Sequence, residues 1–474
     1  MRLPDAAGRT RRAFSLGLTT GAVYFTGTLY WLVETMTTFG GLATPIAVFA
    51  AAILVAYLAL FPAAFAVIVA RLSVSPGPTW ALLLAPAVWV ATELGRQYVW
   101  DGFPWELLGY SQVSVLPIAQ LASVIGVYGL SGLLALVSCT VALAVTGRAR
   151  DRWVPLVVAG AVVAIVAAWG TKRLNGAALL ASGDPVRVAV VQGNIAQEDK
   201  WNPAFRDRIT DRYIGMTRQA LASGATFILW PESSTPFYFE EDLVRGAAIR
   251  RLARESGATL LIGSDQVEPV RAEAEGRPSD RYYNAAFLVK PDGTTGAVYR
   301  KMHLVPFGEY VPLKRLLFFV GPIVEAVSDF TSGDVPVLLP VGNHVASTAI
   351  CYEVIYASLM RQFVRDGSEL LTTITNDAWY GRSSAAYQHW DQAAMRAIEN
   401  GRYLARAANT GISGFVDPYG RELAKSDLFE QALLIEDIRF LQSRTIYMQI
   451  GDLVAWLSLA LTAAALLASF SRRS

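Results

Sequence analysis

Six stretches of this chain contain no Asp, Glu, Lys or Arg: residues 13–33, 41–70, 72–92, 113–146, 153–170 and 453–470. A helix needs roughly 20 apolar residues to cross hydrocarbon, and a charge at its centre costs about 2.5–3.5 kcal/mol on insertion scales. The pattern therefore predicts six membrane segments. The fourth run is too long for one span and has Pro117 near its start. It reads as a shallow or re-entrant piece over 113–125 and a span over about 126–146. The first run is long for a cleaved signal peptide, and no small-residue cleavage site stands out after it.

From about 174 to 452 the pattern changes to short apolar runs separated by polar segments. VRVAVVQGNI, from 186, predicts a strand, and 206–223 has helical spacing. Residues 225–233 and 258–264 read as strands around a helix over 245–256. Strands over 281–290 and 295–300 flank a turn at Pro291-Asp292-Gly293. Strands follow over 345–353 and 370–377, then a long helix over 384–408, then strands over 411–417 and 433–437. Strands alternating with helices, some in hairpins, predict a layered α/β domain. Polar residues gather where strands end, which is where such folds build sites. The organisation expected is a membrane bundle of about five spans over 1–173, a globular domain over 174–451, and a closing membrane helix with a short tail over 452–474.

Composition agrees. The chain has 41 Lys+Arg and 39 Asp+Glu, or 17% charged residues, where soluble proteins carry about 25%. The net charge of +2, with no long basic run, excludes nucleic acid as the expected partner. Positive charge sets direction. Arg9, Arg11 and Arg12, then Arg71, then Arg148, Arg150 and Arg152, then Arg472 and Arg473 all fall on one side if the N-terminus is cytoplasmic. Five crossings then carry the globular domain outside, with Arg96, Lys172 and Arg173 on the opposing side. Cys139 lies in an apolar span. Cys351 is the one cysteine of the globular domain, either an inert buried thiol or a free nucleophile.

Three segments that end strands carry the chemistry: LWPESSTPF (229–237), YRKMHLVPFGEYVP (299–312) and STAICYEVIY (347–356). They supply Glu232, Lys301 and Cys351. Here the sequence resembles the nitrilase superfamily, whose members use a Glu–Lys–Cys triad on an α-β-β-α sandwich. The resemblance is strongest to its membrane-embedded branch, the apolipoprotein N-acyltransferase family, through RKMHLVPFGEYVP, CYEVIY, TNDAWYG (375–381) and GFPW (102–105). It covers nearly the whole chain. Family members typically have eight spans, and this chain begins near what looks like their third.

The fold implied is an α-helical membrane bundle plus a nitrilase-like α-β-β-α sandwich. In the chemistry implied, Glu232 is the general base, Lys301 stabilises the oxyanion and Cys351 is the nucleophile, with the Tyr352 amide a second donor. A thioester at Cys351 keeps enough transfer potential to acylate an amine in a second step. The resemblance makes the donor a phospholipid, commonly phosphatidylethanolamine. The acceptor is the N-terminal amine of an S-diacylglyceryl-cysteine lipoprotein, and the place is the bacterial inner membrane with the catalytic domain on the periplasmic side. A monomer is expected.

Glu309 resembles the superfamily's second glutamate, or is a solvated surface residue. Glu353 is either catalytic support or half of a structural salt bridge. Trp201, in EDKWNP, resembles a family tryptophan near the site, or is a packed aromatic. Trp100, Phe103, Trp105 and Tyr110 form an interfacial belt or guide lipids. Asn376 and Asp377 are expected to shape the site wall, and residues 313–334 are a candidate apolar lid. His303, His344 and His389 form no metal constellation, and neither a metal nor a cofactor is expected. The rival readings are a membrane-tethered nitrilase-type amidase or hydrolase, a binding or scaffold protein without activity, and a component of a glycosyl-transfer system acting in trans.

Overall fold

A computed structural model describes residues 6–100, 102–146, 153–269, 280–306, 308–310 and 330–471. Most of the candidate lid, residues 313–329, lies outside the described residues. The chain divides into two compact units, one of residues 1–33, 43–177 and 445–474 and the other of residues 34–42 and 178–444.

The first unit is helical. Among the described residues, four helices are long and apolar enough to cross a membrane: Thr44–Leu72, Ala122–Val145, Trp153–Ala181 and Leu453–Ser471. Helices Ala6–Leu29 and Pro78–Tyr98 occupy the first and third charge-free runs but are not among these four. The first carries three arginines in its opening turns, and the second ends with Glu93 and Arg96. Small residues let helices approach closely where apolar lipid gives no drive to associate. A Cβ added at Gly17 would lie 2.5 Å from the Pro62 carbonyl, and one at Gly21 would lie 2.7 Å from the Ala59 Cα. The expected re-entrant region contains a single-turn helix, Leu116–Ala119, before the helix Ala122–Thr146. Gly126 interrupts the latter with φ 66°. Arg96, counted above as a charge on the opposing side, is buried inside this unit. It donates to the Phe103 and Trp105 carbonyls and lies over the Phe25 ring.

Among its described residues, the second unit holds two six-stranded sheets. In the first, β1 (Asp184–Gln192), β2 (Phe227–Leu229) and β3 (Thr259–Glu268) are parallel neighbours. Antiparallel β4 (Arg281–Val289) and β5 (Thr295–Arg300) follow β3. In the second, β6 (Leu339–Val341) pairs antiparallel with β7 (His344–Ile350). Strands β7, β8 (Leu370–Thr375) and β9 (Leu404–Ala408) run parallel. Strands β10 (Gly414–Val416) and β11 (Glu422–Lys425) close that sheet, while β12 (Ala432–Phe440) returns to pair antiparallel with β1. The parallel strands are buried on both faces over most of their length, which explains why Val, Leu, Ile, Ala and Thr dominate them. Helices Arg206–Ala222 and Leu243–Ser256 cover the first sheet, with Ile209, Tyr213 and Ile249 packed on Ile228, Leu260 and Phe287. Helices Ala357–Arg365 and Ser384–Asn400 lie with the second. Strands β1 and β4 lie beside β9 and β7, so the sheets face each other.

The expected helix over 384–408 is shorter than the sequence reading. It ends at Asn400 because Gly401 takes φ 60° and caps it, the usual left-handed helix stop. Residues 404–408 then form β9 instead. Strands β6 and β11 and the helix Ala357–Arg365 were not anticipated.

Candidate active site

Strand β7 runs straight into a tight turn, Cys351–Ile355, and Cys351 itself has φ 53°. A non-glycine residue in this region costs about 1–3 kcal/mol and persists only when its surroundings hold it there. Two bonds do so. Glu353 Oε2 accepts the Ile350 N–H at 2.8 Å. His389 Nε2 donates to the Cys351 carbonyl at 3.1 Å. Asp377 backs the imidazole, with its Oδ1 3.0 Å from Nδ1, and accepts from Arg406 at 2.8 Å through Oδ2. Burial works to raise the Asp377 carboxyl, but Arg406 and His389 outweigh it and hold it well below the usual range.

The turn after β2, the end of β5 and the loop after it bring three charged groups around one amide. Asn284, on β4, donates through Nδ2 to Glu232 Oε1 at 2.6 Å and to Glu309 Oε1 at 2.8 Å. Lys301 donates to Glu309 Oε1 at 2.8 Å and to Glu232 Oε1 at 3.3 Å. The second Glu232 oxygen accepts the Asn376 N–H at 2.8 Å, and the second Glu309 oxygen accepts that of Val305 at 2.8 Å. All four side chains are buried. Burial alone would raise Glu232 and lower Lys301. The pairing wins: Lys301 and Asn284 leave the Glu232 carboxyl below its ordinary value, and the two glutamates leave the Lys301 ammonium above its own. The thiol goes the other way. Burial, then the charge of Glu232, push Cys351 well above the ordinary cysteine range against the pull of Lys301. The site thus sets an ionised carboxylate and a fixed ammonium beside a thiol whose ionisation burial disfavours, an arrangement suited to base-assisted attack on a carbonyl.

Glu353 makes its hydrogen bonds outside that cluster. Its Oε1 accepts from Tyr299 Oη at 2.8 Å, Met302 N at 2.6 Å and His303 N at 3.1 Å. It brackets the Lys301 loop to the Cys351 turn, and burial raises its carboxyl to about 7. Its partners are main-chain N–H groups and a phenol, with no ion pair among the described residues, so the salt-bridge alternative is not what holds it. Tyr352 is buried, edge-on to Tyr356. Trp201 caps a short helix and is 43% exposed, beside a surface cavity. Of the four aromatics on the membrane-unit loop, Trp105 and Tyr110 are buried, whereas Trp100 is 85% exposed and stacks on Tyr57. The first two are packed interior residues.

Sequence reasoning missed three groups: Asn284, Lys200 and His389. Asn284 had a signal, being the one polar side chain in the apolar half of RYYNAAFLV. Lys200 had none beyond its place next to Trp201. Its ammonium donates to the Glu232 carbonyl at 3.1 Å.

Comparison with known proteins agrees with this architecture. Residues 187–446 match the carbon-nitrogen hydrolase family, and residues 3–140 match the apolipoprotein N-acyltransferase N-terminal domain. The apolipoprotein N-acyltransferase of Geobacter metallireducens is 39% identical over 99% of this chain and 89% of its own length. That of Methylococcus capsulatus is 35% identical over 94% of this chain and 84% of its own. An amidase of the nitrilase superfamily from Nesterenkonia AN1 aligns with 56% of this chain and 94% of its own, at 22% identity and a TM-score of 0.42. By its near full-length likeness to these acyltransferases, the chain is an enzyme of the apolipoprotein N-acyltransferase family.

Proposed function

We propose that the protein moves an acyl chain from a membrane phospholipid to the N-terminal amine of an S-diacylglyceryl-cysteine lipoprotein, through a thioester at Cys351. The observation that carries this reading is the Glu232–Asn284–Glu309–Lys301 cluster beside a buried thiol on a strained turn, in a chain with membrane-length helices.

Glu232 takes the Sγ proton as Cys351 attacks the carbonyl carbon of an sn-1 ester. The carbonyl oxygen becomes an oxyanion beside Lys301, which stays protonated throughout, and the Tyr352 amide serves as a second donor. Collapse breaks the ester C–O bond. Glu232 returns the proton to the leaving alkoxide, so a lysophospholipid departs and Glu232 is again a base. The lipoprotein amine then attacks the thioester and Glu232 takes its proton. Expulsion of the sulfur restores the thiol with that proton. Glu309 and Asn284 hold Lys301 and Glu232 in register, and Trp201 contacts the incoming substrate. Neither step calls for a cofactor. Phosphatidylethanolamine is the proposed donor, and a single chain is the proposed working unit. The arginine distribution favours a cytoplasmic-membrane protein with its catalytic unit on the outer side.

The test is a two-stage labelling assay on the detergent-solubilised chain. Phosphatidylethanolamine labelled on its sn-1 chain is added first, and hydroxylamine-sensitive label is sought on Cys351 by mass spectrometry. A diacylglyceryl-cysteine peptide follows. Label passing from Cys351 to the peptide's α-amine supports the transferase. Label released only as fatty acid identifies a hydrolase, and an unlabelled Cys351 rejects the thioester.

A further inference from the structure

The proposed chemistry leaves unused a second buried cation next to the base. We propose that Lys200 is a positioning residue of the acyl-transfer site: it ties the Trp201 loop to the main chain of Glu232 and adds a positive charge to the Glu232–Cys351 pair. The proposal rests on Glu232 being the base.

The geometry is that of a tie between two walls. Lys200 is the last residue of the helix Gln197–Lys200, and Trp201 caps it. The two side chains part there. Lys200 turns inward, buried, and donates to the Glu232 carbonyl. Trp201 turns outward and, with Arg206, Phe237 and Tyr238, lines a cavity of about 340 Å³. Phe237 and Tyr238 belong to the same loop as Glu232. One wall of the cavity is therefore the Trp201 loop, the other is the base's own loop, and the bond from Lys200 to Glu232 joins them. Whatever enters the cavity and moves Trp201 also loads the backbone of the base.

That backbone is otherwise anchored on its sheet side. Ser233 has φ 41° and donates through Oγ to Asp265 at 2.8 Å. Ser234 donates to the Gly263 carbonyl through its N–H and its hydroxyl, at 2.8 and 2.9 Å. A Cβ at Gly263 would collide with the Pro231 carbonyl, so sheet and turn are in van der Waals contact. Lys200 supplies the anchor at the carbonyl of Glu232.

Charge gives the second argument. Glu232, Asp265 and Cys351 all lie close enough to Lys200 to act on its ammonium electrostatically. Glu232 in turn feels Lys301 and Lys200 as its cationic neighbours, while Glu309 bonds Lys301. Three buried carboxyl groups, of Glu232, Glu309 and Asp265, thus share two lysines. Burying an ammonium is costly, and an apolar side chain of similar volume would fill the space without that cost. Its charge has a use here, because removing it leaves one lysine for three carboxyl groups. Burial already pushes Asp265 up to about 6, and Glu232 and the thiol would move in the same direction.

The experiment compares Lys200→Met, Lys200→Gln and Lys200→Arg in the full chain in detergent, reading thioester formation from phosphatidylethanolamine across pH 3–9. Lys200→Met is expected to lower the rate at pH 7 by roughly 10- to 100-fold, part of what a positioned base contributes, and to move the acidic limb of the profile up by about one pH unit. Lys200→Arg should restore the limb. Lys200→Gln keeps a donor without the charge, and should keep more of the rate while leaving the limb displaced. In a Glu232→Gln background, Lys200→Met should change the rate by less than about twofold, since groups acting as a unit are non-additive. An unmoved limb in both neutral variants overturns the proposal, and so does an undiminished Lys200→Met effect without Glu232. Full activity of Glu232→Gln or Cys351→Ala would instead reject the site assignment itself, whatever Lys200 does.

Discussion

Glu353 accepts the main-chain N–H of Met302 at 2.6 Å. Glu353 lies two residues past Cys351 and Met302 one residue past Lys301, so this bond fixes the lysine's loop to the thiol's turn. The remaining Glu353 bonds, from His303, Ile350 and Tyr299, serve the same junction. The two ends of the proposed site are thereby held by a carboxyl group whose hydrogen bonds go to neither Glu232 nor Lys301.

Replacing Glu353 by Ala leaves one buried and two part-buried N–H groups and a buried phenol without that acceptor. Each orphaned buried group costs about 1–3 kcal/mol, so a loss of at least ~3 kcal/mol in the stability of the catalytic unit is expected. Thioester formation should fall with it. Denaturant melts of the variant, beside mass spectrometry of Cys351 acylation, check both effects. Unchanged stability would show that the junction is held elsewhere.

The opposed shifts of Glu232 and Cys351 predict the pH dependence of alkylation. With the base ionised well below neutrality and the thiol pushed above its ordinary value, iodoacetamide should label Cys351 at a nearly level rate from about pH 6 to 8. In Glu232→Gln the thiol must ionise alone. The rate should then be lower and climb about tenfold per pH unit through pH 9, following the thiolate fraction. Peptide mass spectrometry separates Cys351 from Cys139. A level profile in the variant would mean that another group acts as base.

Arg406 guards the charge behind the proposed nucleophile. Asp377 is buried, and its carboxyl is held low chiefly by this guanidinium against the effect of burial. A carboxyl whose folded pKa is depressed adds stability above its unfolded value, near 3.8, and loses that contribution as pH falls through the folded value. Arg406→Met removes the depression and leaves a buried carboxylate, at a cost of about 3–5 kcal/mol. The gap in stability between wild type and variant should be widest near pH 7 and narrow towards pH 4, where the variant's Asp377 takes up a proton. Melting curves across that range test the sign. A gap that widens on acidification would contradict it.

Much of this was legible along the chain. Charge-free runs of membrane length can be read locally, because each such helix satisfies its own backbone and meets apolar surroundings on most sides. Strands β1, β7 and β8 were legible for a related reason, since burial on both faces leaves few choices of residue. Glu232, Lys301 and Cys351 stood out as polar groups at the ends of such strands. The over-long helix across 384–408 failed at Gly401, whose stop signal is weak in sequence and decisive in conformation.

Sequence alone located the charge-free runs, the layered α/β unit and the residues proposed to bear the chemistry, because those depend on periodicity and residue type within short windows. Only the tertiary structure decided which polar groups meet. Asn284 reaches Glu232 across 52 residues and Glu309 across 25, and His389 reaches the Cys351 carbonyl across 38. Arg96 proved to be an interior donor instead of a loop charge. These roles arise from burial: a polar side chain shut away from water must find partners, and which partners are in reach is settled by how the elements pack.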